Sequence, residues 1–440
     1  MDKATLLRRL KEDDVVFVYL LFTDITGSTK KITIQARSVE DALNDGVWFD
    51  GSSIEGFARI CESDMLLKPD PSTYAVLPWS EDGNRAAQII CDVYMTNGEP
   101  FAGDPRGVLK RVMKRASDLG LHFKVGPEIE FFLLDRQDLP EIKPHDNKGY
   151  FDLGVESRAV NICQQAMLDM DGLGYHCESY HHEVSGGQHE TDLHYDEAVK
   201  IADGVVTLKH VLRMRSRQAG FKVTFMPKPI PGVNGSGMHV HQSLSDVQGK
   251  NLFYDRGDAY NLSPLAYSFL AGQVAHARSL AAIVDPTVNS YKRLVPGFEA
   301  PVYVCWGRVN RSALIRIPSV APEKVKVGTR LELRNPDPSA NPYLAFAAML
   351  AAGLDGIAKE MTPPGAMEEN VYGFSDEKLA EKNIQTLPIS IKEAVDELEE
   401  DYVLREMVGY DLTEHLIQAK RQEWKSFLNQ VTPWEFERYL

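Results

Sequence analysis

No apolar run in this 440-residue sequence approaches the length of a membrane span. The longest, Tyr343 to Leu354, falls well short of the roughly 20 residues a transmembrane helix requires and reads as a core helix. Cysteine is scarce and scattered: the five residues, Cys61, Cys91, Cys163, Cys177 and Cys305, form no CxxC pair and no cluster at zinc spacing, so they read as small buried apolar side chains. The stretch MDKATLLRRLKEDD lacks the uninterrupted apolar centre of a signal peptide, and a cytoplasmic setting is expected, with no membrane partner. Positive charge is in deficit. The formal net charge of −15 argues against a nucleic-acid partner and suits a protein that collects metal cations. There is no P-loop and no kinase HRD or DFG set, and NGSGMHVH fails GxGxxG because its third glycine is missing. No internal repeat or low-complexity segment is evident.

What is present is the composition of a globular protein, 43% hydrophobic and 25% charged, in a chain long enough for two domains. The first hundred residues read mainly as strands: VVFVYLLF from Val15, a turn at Thr26-Gly27-Ser28, KKITIQA from Lys30 and QIICDVYM from Gln88. A turn-rich GEPFAGDP marks a boundary that divides the chain into domains 1–103 and 104–440. Asp104-Pro105 then caps a helix whose apolar face is Val108, Leu109, Val112 and Ala116, ended by Gly120. Further helices are expected near 156–170, 195–219, 263–284 and 341–359, with strands between them. The acid-rich C-terminal region closes on LTEHLIQAKRQEWKSFL, where Leu416, Ile417, Trp424, Phe427 and Leu428 could form one apolar stripe.

Four stretches put acids or histidines where packing would not want them. In GPEIEFFLL, alternation sends Glu128 and Glu130 to one face of a strand and Ile129 and Phe131 to the other. Paired carboxylates repel, and a bound cation would cancel the cost; a half-exposed edge strand with two solvated acids is the plainer reading. In HHEVSGGQHE, Glu183 and Glu190 flank a Ser-Gly-Gly that folds two short arms together. In KPIPGVNGSGMHVHQS, His239, His241 and Ser243 share a strand face, and in RLELRNPDPSANPYL so do Glu332 and Arg334. Together these acids and the imidazole are hard ligands suited to two or more Mg²⁺ or Mn²⁺ ions, which most often serve phosphate chemistry. Arg293, Arg311 and Arg316 lie in NSYKRLVPGFEAPVYVCWGRVNRSALIRIP, either as recognition groups for carboxylate and phosphate or as solvated residues of a surface loop.

These segments, in this order and together with FDGSSIEGFARICESDM, resemble the type I glutamine synthetases of bacteria and archaea. The resemblance implies an α+β fold, a small β-grasp-like N-terminal domain joined to a large α/β glutamine-synthetase catalytic domain. It implies a homododecamer of two hexameric rings whose active sites are completed by the neighbour's N-terminal domain, with the final helix inserting into the opposite ring. By resemblance Glu130, Glu183 and Glu190 hold one metal ion, and Glu128, His239 and Glu332 hold a second.

The implied reaction joins ammonium to L-glutamate with ATP through γ-glutamyl phosphate. Arg311 and Arg334 match positions around the transferring phosphate, Arg334 also bordering the glutamate site. Arg293 matches the residue for the substrate α-carboxylate, and Asn234 and Gly235 line that pocket. Glu178, His241, Ser243 and Arg316 fall on the nucleotide side. Asp50 matches the acid that binds and deprotonates ammonium in the adjacent subunit, and Glu299 matches the flap acid that shields the intermediate. Two departures stand out. SVAPEKVKVGT replaces a shorter segment with an Arg-Gly, so Lys324 or Lys326 could stand in, and the tyrosine loop used for adenylylation is lacking. Arg59 in GFARI resembles the arginine of the branch inhibited directly by glutamine, which leaves room for a small regulatory protein as a further partner. A ligase of the same fold acting on a polyamine or another amine is the alternative, since it would share every metal ligand.

Overall fold

The computed structural model describes residues 1–52, 54, 64–80, 83–135, 142–154, 157–310 and 312–440. Three residues singled out above, Arg59, Cys61 and Arg311, lie outside these. Six strands form the first sheet: β1 (Phe17–Thr23), β2 (Thr29–Gln35), β3 (Val47–Asp50), β4 (Asp64–Pro69), β5 (Ala75–Val76) and β6 (Ala86–Met95). Their order is β2-β1-β6-β4-β3 with β5 also on β6, and only β1 and β6 run parallel. Alternation along β1 feeds two cores. Val18, Leu20 and Phe22 pack with Leu6 and Leu10 of the helix Lys3–Glu12, whereas Tyr19 and Leu21 join the core of the larger domain. The first sheet therefore buries one face against its own helix and the other against the rest of the chain.

The second sheet holds β7 (His122–Asp135), β8 (Cys177–His182), β9 (Gln188–Leu193), β10 (Asp196–Glu197), β11 (Phe221–Thr224), β12 (Met238–Ser245), β13 (Tyr303–Gly307), β14 (Ala313–Arg316) and β15 (Leu331–Leu333). The order is β13-β14-β15-β12-β7-β9-β8, with β10 and β11 also pairing with β7. Long helices cover its apolar face. The helix Pro105–Asp118 begins where Asp104 accepts from the Arg106 N–H, and Val108, Leu109, Val112 and Ala116 are all buried. The expected helices near 156–170, 195–219 and 341–359 are Arg158–Gly172, Ala198–Ala219 and Pro342–Ala358. Among the described residues no helix is long and apolar enough to cross a membrane.

Two expectations change. The segment 263–284 is two helices, Pro264–Ala275 and Ala277–Val284, parted at His276 (φ −95°, ψ 6°), whose ring nitrogens are held by Asp401 at 2.7 Å and Asp355 at 3.1 Å. The C-terminal stripe is also divided: in the helix Tyr410–Leu428, Leu416 and Ile417 are buried, Trp424 and Phe427 are half-buried and Leu428 is exposed, so its second half finds no full cover within this chain.

A buried cation joins the first sheet to the helices of the larger domain. Arg106, 3% exposed, donates from Nε (3.0 Å) and Nη2 (2.9 Å) to both carboxylate oxygens of Asp203, from Nη1 to Asp92 (2.7 Å) and from Nη2 to Asp70 (2.9 Å). Tyr343 adds its hydroxyl to Asp203 at 2.6 Å. Asp70 and Asp92 come from the first sheet and its turns, Asp203 and Tyr343 from helices of the larger domain.

Burial alone would lower the His276 pKa, but the bonds to Asp401 and Asp355 outweigh it and raise the group above its ordinary value. A raised folded-state pKa stabilises fully below the ordinary imidazole value of about 6.5 and is lost as pH rises through the folded value. The melting-temperature gap between the protein and a His276→Gln variant is therefore expected to be wide at pH 6, corresponding to roughly 1–3 kcal/mol for a charged hydrogen bond, and narrow at pH 9. Equal gaps at the two pH values would contradict a charged His276.

Candidate functional site

Strand register brings the unusual polar residues into one band. Glu332 stands opposite Arg316 of β14 and His241 of β12, His239 stands opposite Glu128 of β7, Glu130 opposite Glu190 of β9, and Glu190 opposite His181 of β8. Alternation leaves Ile129, Phe131, Met238 and Val240 in the core beneath. Glu183 follows β8 in a tight turn closed by its N–H on the Gln188 carbonyl at 2.8 Å. Gly187 there has φ +71°, in the left-handed region that glycine enters at no steric cost.

Three overlapping groups result. Glu128, His239 and Glu332 offer ligand atoms within 4.8 Å of one another, as do Glu130, Glu190 and His239, and also His181, Glu183 and Glu190. Glu130 and Glu183 thus meet through Glu190 and not as one close trio. His181 sits between Glu190 and Glu183, Nε2 3.0 Å from the first and Nδ1 3.7 Å from the second.

Electrostatics divides the band. Burial, followed by repulsion from Glu190 and Glu183, pushes Glu130 well above the usual carboxylate range, and burial with neighbouring acids raises Glu190 and Glu183 as well. Burial also pushes Glu128 upward, but hydrogen bonds from His239 and His241 outweigh it and hold the group well below that range. Glu332 is likewise lowered against its burial, by His241, Arg334 and His239. Buried acids that repel in this way gain most from divalent cations, and five carboxylates with one imidazole are donors that fit Mg²⁺ or Mn²⁺.

Arginines border the acids. Arg334 Nε donates to Glu332 at 3.0 Å and Arg316 Nη1 at 3.1 Å. Arg293 is buried, with Nη1 on the Asn335 carbonyl at 2.6 Å and Nη2 on that of Arg334 at 3.1 Å. Two glycines make room for it. A Cβ at Gly237 would lie 2.5 Å from Arg293 Nη2 and 3.0 Å from His239 Nε2, and one at Gly235 would lie 2.2 Å from the Pro227 carbonyl. Asn234 Nδ2 donates to Glu299 at 3.2 Å, and Glu299 itself is exposed with φ +57°, a conformation that costs a non-glycine residue free energy.

His241 has a defined tautomer. Arg330 Nε donates to its Nδ1 at 3.1 Å and carries no acceptor, so the proton sits on Nε2 and points to Glu128 at 2.7 Å. Ser243 follows, half-buried, on the same face. Glu178 lies farther out, exposed at an irregularity in the β8–β9 pairing and hydrogen-bonded to His194. Lys324 and Lys326 are exposed, and the cation near their loop that reaches the band is Arg330. Asp50 ends the edge strand β3, fully exposed, where bonds from Ser52 hold it below the usual carboxylate range.

Sequence reasoning passed over His181, Arg330 and Gln188, although all three stand within quoted segments. Gln188 Nε2 donates to Glu130 Oε2 and to the Gly235 carbonyl, both at 2.9 Å, and the Gly237 N–H reaches the same carboxylate oxygen at 3.0 Å.

Comparisons with known proteins agree over the whole length. Residues 14–96 match the family described as "Glutamine synthetase, beta-Grasp domain", and residues 102–439 match "Glutamine synthetase, catalytic domain". The chain is 48% identical to a protein named glutamine synthetase from Thermotoga maritima, covering 100% of both, and 46% identical to one from Halobacterium salinarum, covering 100% of this chain and 96% of the other. A solved chain described as "GmaS/ADP complex-Conformation 1" superposes with a TM-score of 0.90 at 33% identity over 99% of each.

Gln188→Leu removes the amide that fixes Glu130 while keeping similar bulk. Its expected effect is a 10- to 100-fold loss of Mn²⁺ affinity, about the size found for outer partners of metal ligands, with an unchanged circular dichroism spectrum. Unaltered affinity in a direct Mn²⁺ titration would mean that Glu130 is positioned by other groups.

Proposed function

The chain belongs to the glutamine synthetase family, and from that premise we propose how its residues divide the work of a glutamate–ammonia ligase. The enzyme forms L-glutamine, ADP and phosphate from L-glutamate, ammonia and ATP. A polyamine ligase of the same fold is not favoured, because curated relatives at 43–48% identity along the full chain carry the glutamine synthetase name.

The observation that carries the site assignment is the band of buried acids bordered by arginines on one sheet face. Glu128, His239 and Glu332 would hold one divalent ion, and Glu130, Glu183 and Glu190, which meet through Glu190, would draw together around another, with His181 beside Glu183 and Glu190 as a further donor. When bound, such ions neutralise phosphate charge and orient the oxygens of ATP. His241, with its proton committed to Glu128, Ser243, Glu178 and Arg316 form the nucleotide side of this reading, which the ADP complex of the structural relative supports.

In the first step a γ-carboxylate oxygen of glutamate bonds to the γ-phosphorus of ATP as the bond to ADP breaks. Arg293, with Asn234 and Gly235, holds the substrate's α-carboxylate end, while Arg334 and Arg311 are assigned to balancing the charge that moves between oxygens. In the second step the nitrogen of ammonia bonds to the acyl carbon and phosphate leaves. Asp50 takes a proton from ammonium, and Glu299 takes one from the adduct while its loop excludes water. Arg59 is assigned to glutamine feedback.

Shared sites and a dodecamer complete the proposal. Its support is the exposed position of Asp50 on an edge strand and the apolar surface of the last helix, where Trp434, Phe436 and Tyr439 are each more than half exposed. The domain division at 1–103 and 104–440 falls at the Asp104 cap. A cytoplasmic setting is consistent with four buried free thiols, Cys91, Cys163, Cys177 and Cys305.

Turnover is expected to require Mg²⁺ or Mn²⁺ and to be faster with ammonium than with putrescine or ethanolamine in a coupled ADP and product assay. Equal or faster turnover with putrescine would sink the ammonia assignment. Asp50→Ala and Glu332→Ala subunits, each inactive but correctly assembled alone, are expected to regain part of the activity when mixed within one ring. Persistent inactivity across mixing ratios would return Asp50 to its own chain's site.

A further inference from the structure

Behind the carboxylate band, where the β8–β9 hairpin meets the 144–147 segment, lies a second group of metal-ligating side chains of different chemistry. His145, His182 and His189 offer ring nitrogens within 4.8 Å of one another. All three imidazoles are almost fully buried: His182 and His189 are 6% and 1% exposed, and the His145 side chain 3%. His145 Nε2 faces His189 Nε2 at 2.8 Å, the rings end to end and 14° from parallel, and His182 meets His189 edge-on at 4.7 Å between centroids. Asp146 completes the group. Its Oδ1 accepts from the Gly187 N–H at 2.7 Å and contacts His182 Nε2 at 3.1 Å, whereas its Oδ2 is buried with no hydrogen-bond partner, 3.4 Å from His145 Nε2.

We propose that His145, His182, His189 and Asp146 Oδ2 form a four-coordinate site for a first-row transition ion of zinc's class, separate from the Mg²⁺ or Mn²⁺ centre. Three independent features carry this. The donors are three imidazoles and one carboxylate oxygen, a set that suits Zn²⁺ and differs from the oxygen-rich band. Two of the three far nitrogens already have the partners that orient metal-bound histidines: His182 Nδ1 lies 2.7 Å from the Glu183 carbonyl, and His189 Nδ1 lies 3.2 Å from the Tyr180 hydroxyl. Finally, a buried carboxylate oxygen without a partner is costly and points at the same space.

An ion entering here must reorient the rings. Two nitrogens on a tetrahedral ion, each at about 2.0–2.1 Å, stand about 3.3 Å apart, so the facing His145 and His189 nitrogens separate by roughly 0.5 Å and both rings swing off their common line to converge on the ion. Imidazole and carboxylate ligands bind a metal in their deprotonated forms, so loading is best done near pH 8.

The ion would bind β8, β9 and the 144–147 segment together. The fit of that segment is close: a Cβ at Gly186 would meet the Asp146 carbonyl at 2.8 Å, and one at Gly187 would meet Pro144 Cβ at 2.8 Å. Because Glu183 and Glu190 are the next residues after His182 and His189, the staple would set the spacing of the two catalytic-side carboxylates. The role is structural, with all four positions filled by protein.

The test uses full-length protein stripped with a chelator, loaded with Co²⁺ at pH 8 and passed through a column in excess Mg²⁺, which occupies the oxygen-rich centre. The expected result is one Co²⁺ per chain with the intense visible absorption of a four-coordinate ion. His145→Gln should lose both signals while keeping its circular dichroism and assembly. Asp146→Asn, which preserves Oδ1 for Gly187 but replaces the ligating oxygen, should weaken retention 10- to 100-fold, and it serves if His145→Gln misfolds. No retained ion, a weakly absorbing six-coordinate spectrum, or equal retention by wild type and Asp146→Asn would each overturn the proposal and leave a hydrogen-bonded imidazole chain.

Discussion

Mutual repulsion among buried carboxylates is the constraint around which the catalytic half of this protein is arranged. Glu130 and Glu190 face each other across β7 and β9 with 8% and 7% exposure, and Glu332 is 2% exposed two strands away. Such a group is unfavourable in a folded core unless cations or donors balance it. The structure balances Glu332 and Glu128 with its own arginines and histidines and leaves Glu130, Glu183 and Glu190 with raised pKa values. One part of the band is therefore largely compensated by protein, and the other keeps a repulsion that a proton or a bound cation would relieve.

The sheet makes this arrangement possible because register, not proximity in sequence, decides which side chains meet. A single row crosses from Arg316 through Glu332 to His241, and neighbouring rows pair His239 with Glu128 and Glu130 with Glu190. A one-residue slip on any of these strands would send its polar residues into the core and its apolar ones to the site. The buried runs of β13 and β14 and the helices behind the sheet hold that register.

Much of the site could be read from the sequence because period-two alternation puts chemistry on one side of a strand, as with Glu128/Glu130 and His239/His241/Ser243. His181, Gln188 and Arg330 escaped because their roles arise across strands: His181 acts through its register with Glu190, Gln188 through a bond to Glu130, and Arg330 through His241. The break at His276 was equally hidden, since Asp355 and Asp401 lie far along the chain and helix periodicity continues through it. The C-terminal stripe was legible as a pattern, but a pattern does not say which half is covered by its own chain.

Arg106 makes the domain boundary in the sequence differ from the boundary in energy. It stands just after the turn that ends the first domain, yet it neutralises Asp70 and Asp92 before that turn and Asp203 well beyond it. A fragment cut at residue 103 would keep two acids without their cation and expose the sheet face that carries Tyr19, Leu21 and Ile90. The small domain is thus not self-sufficient in charge: a cut at the obvious junction would separate a buried cation from two of its counterions.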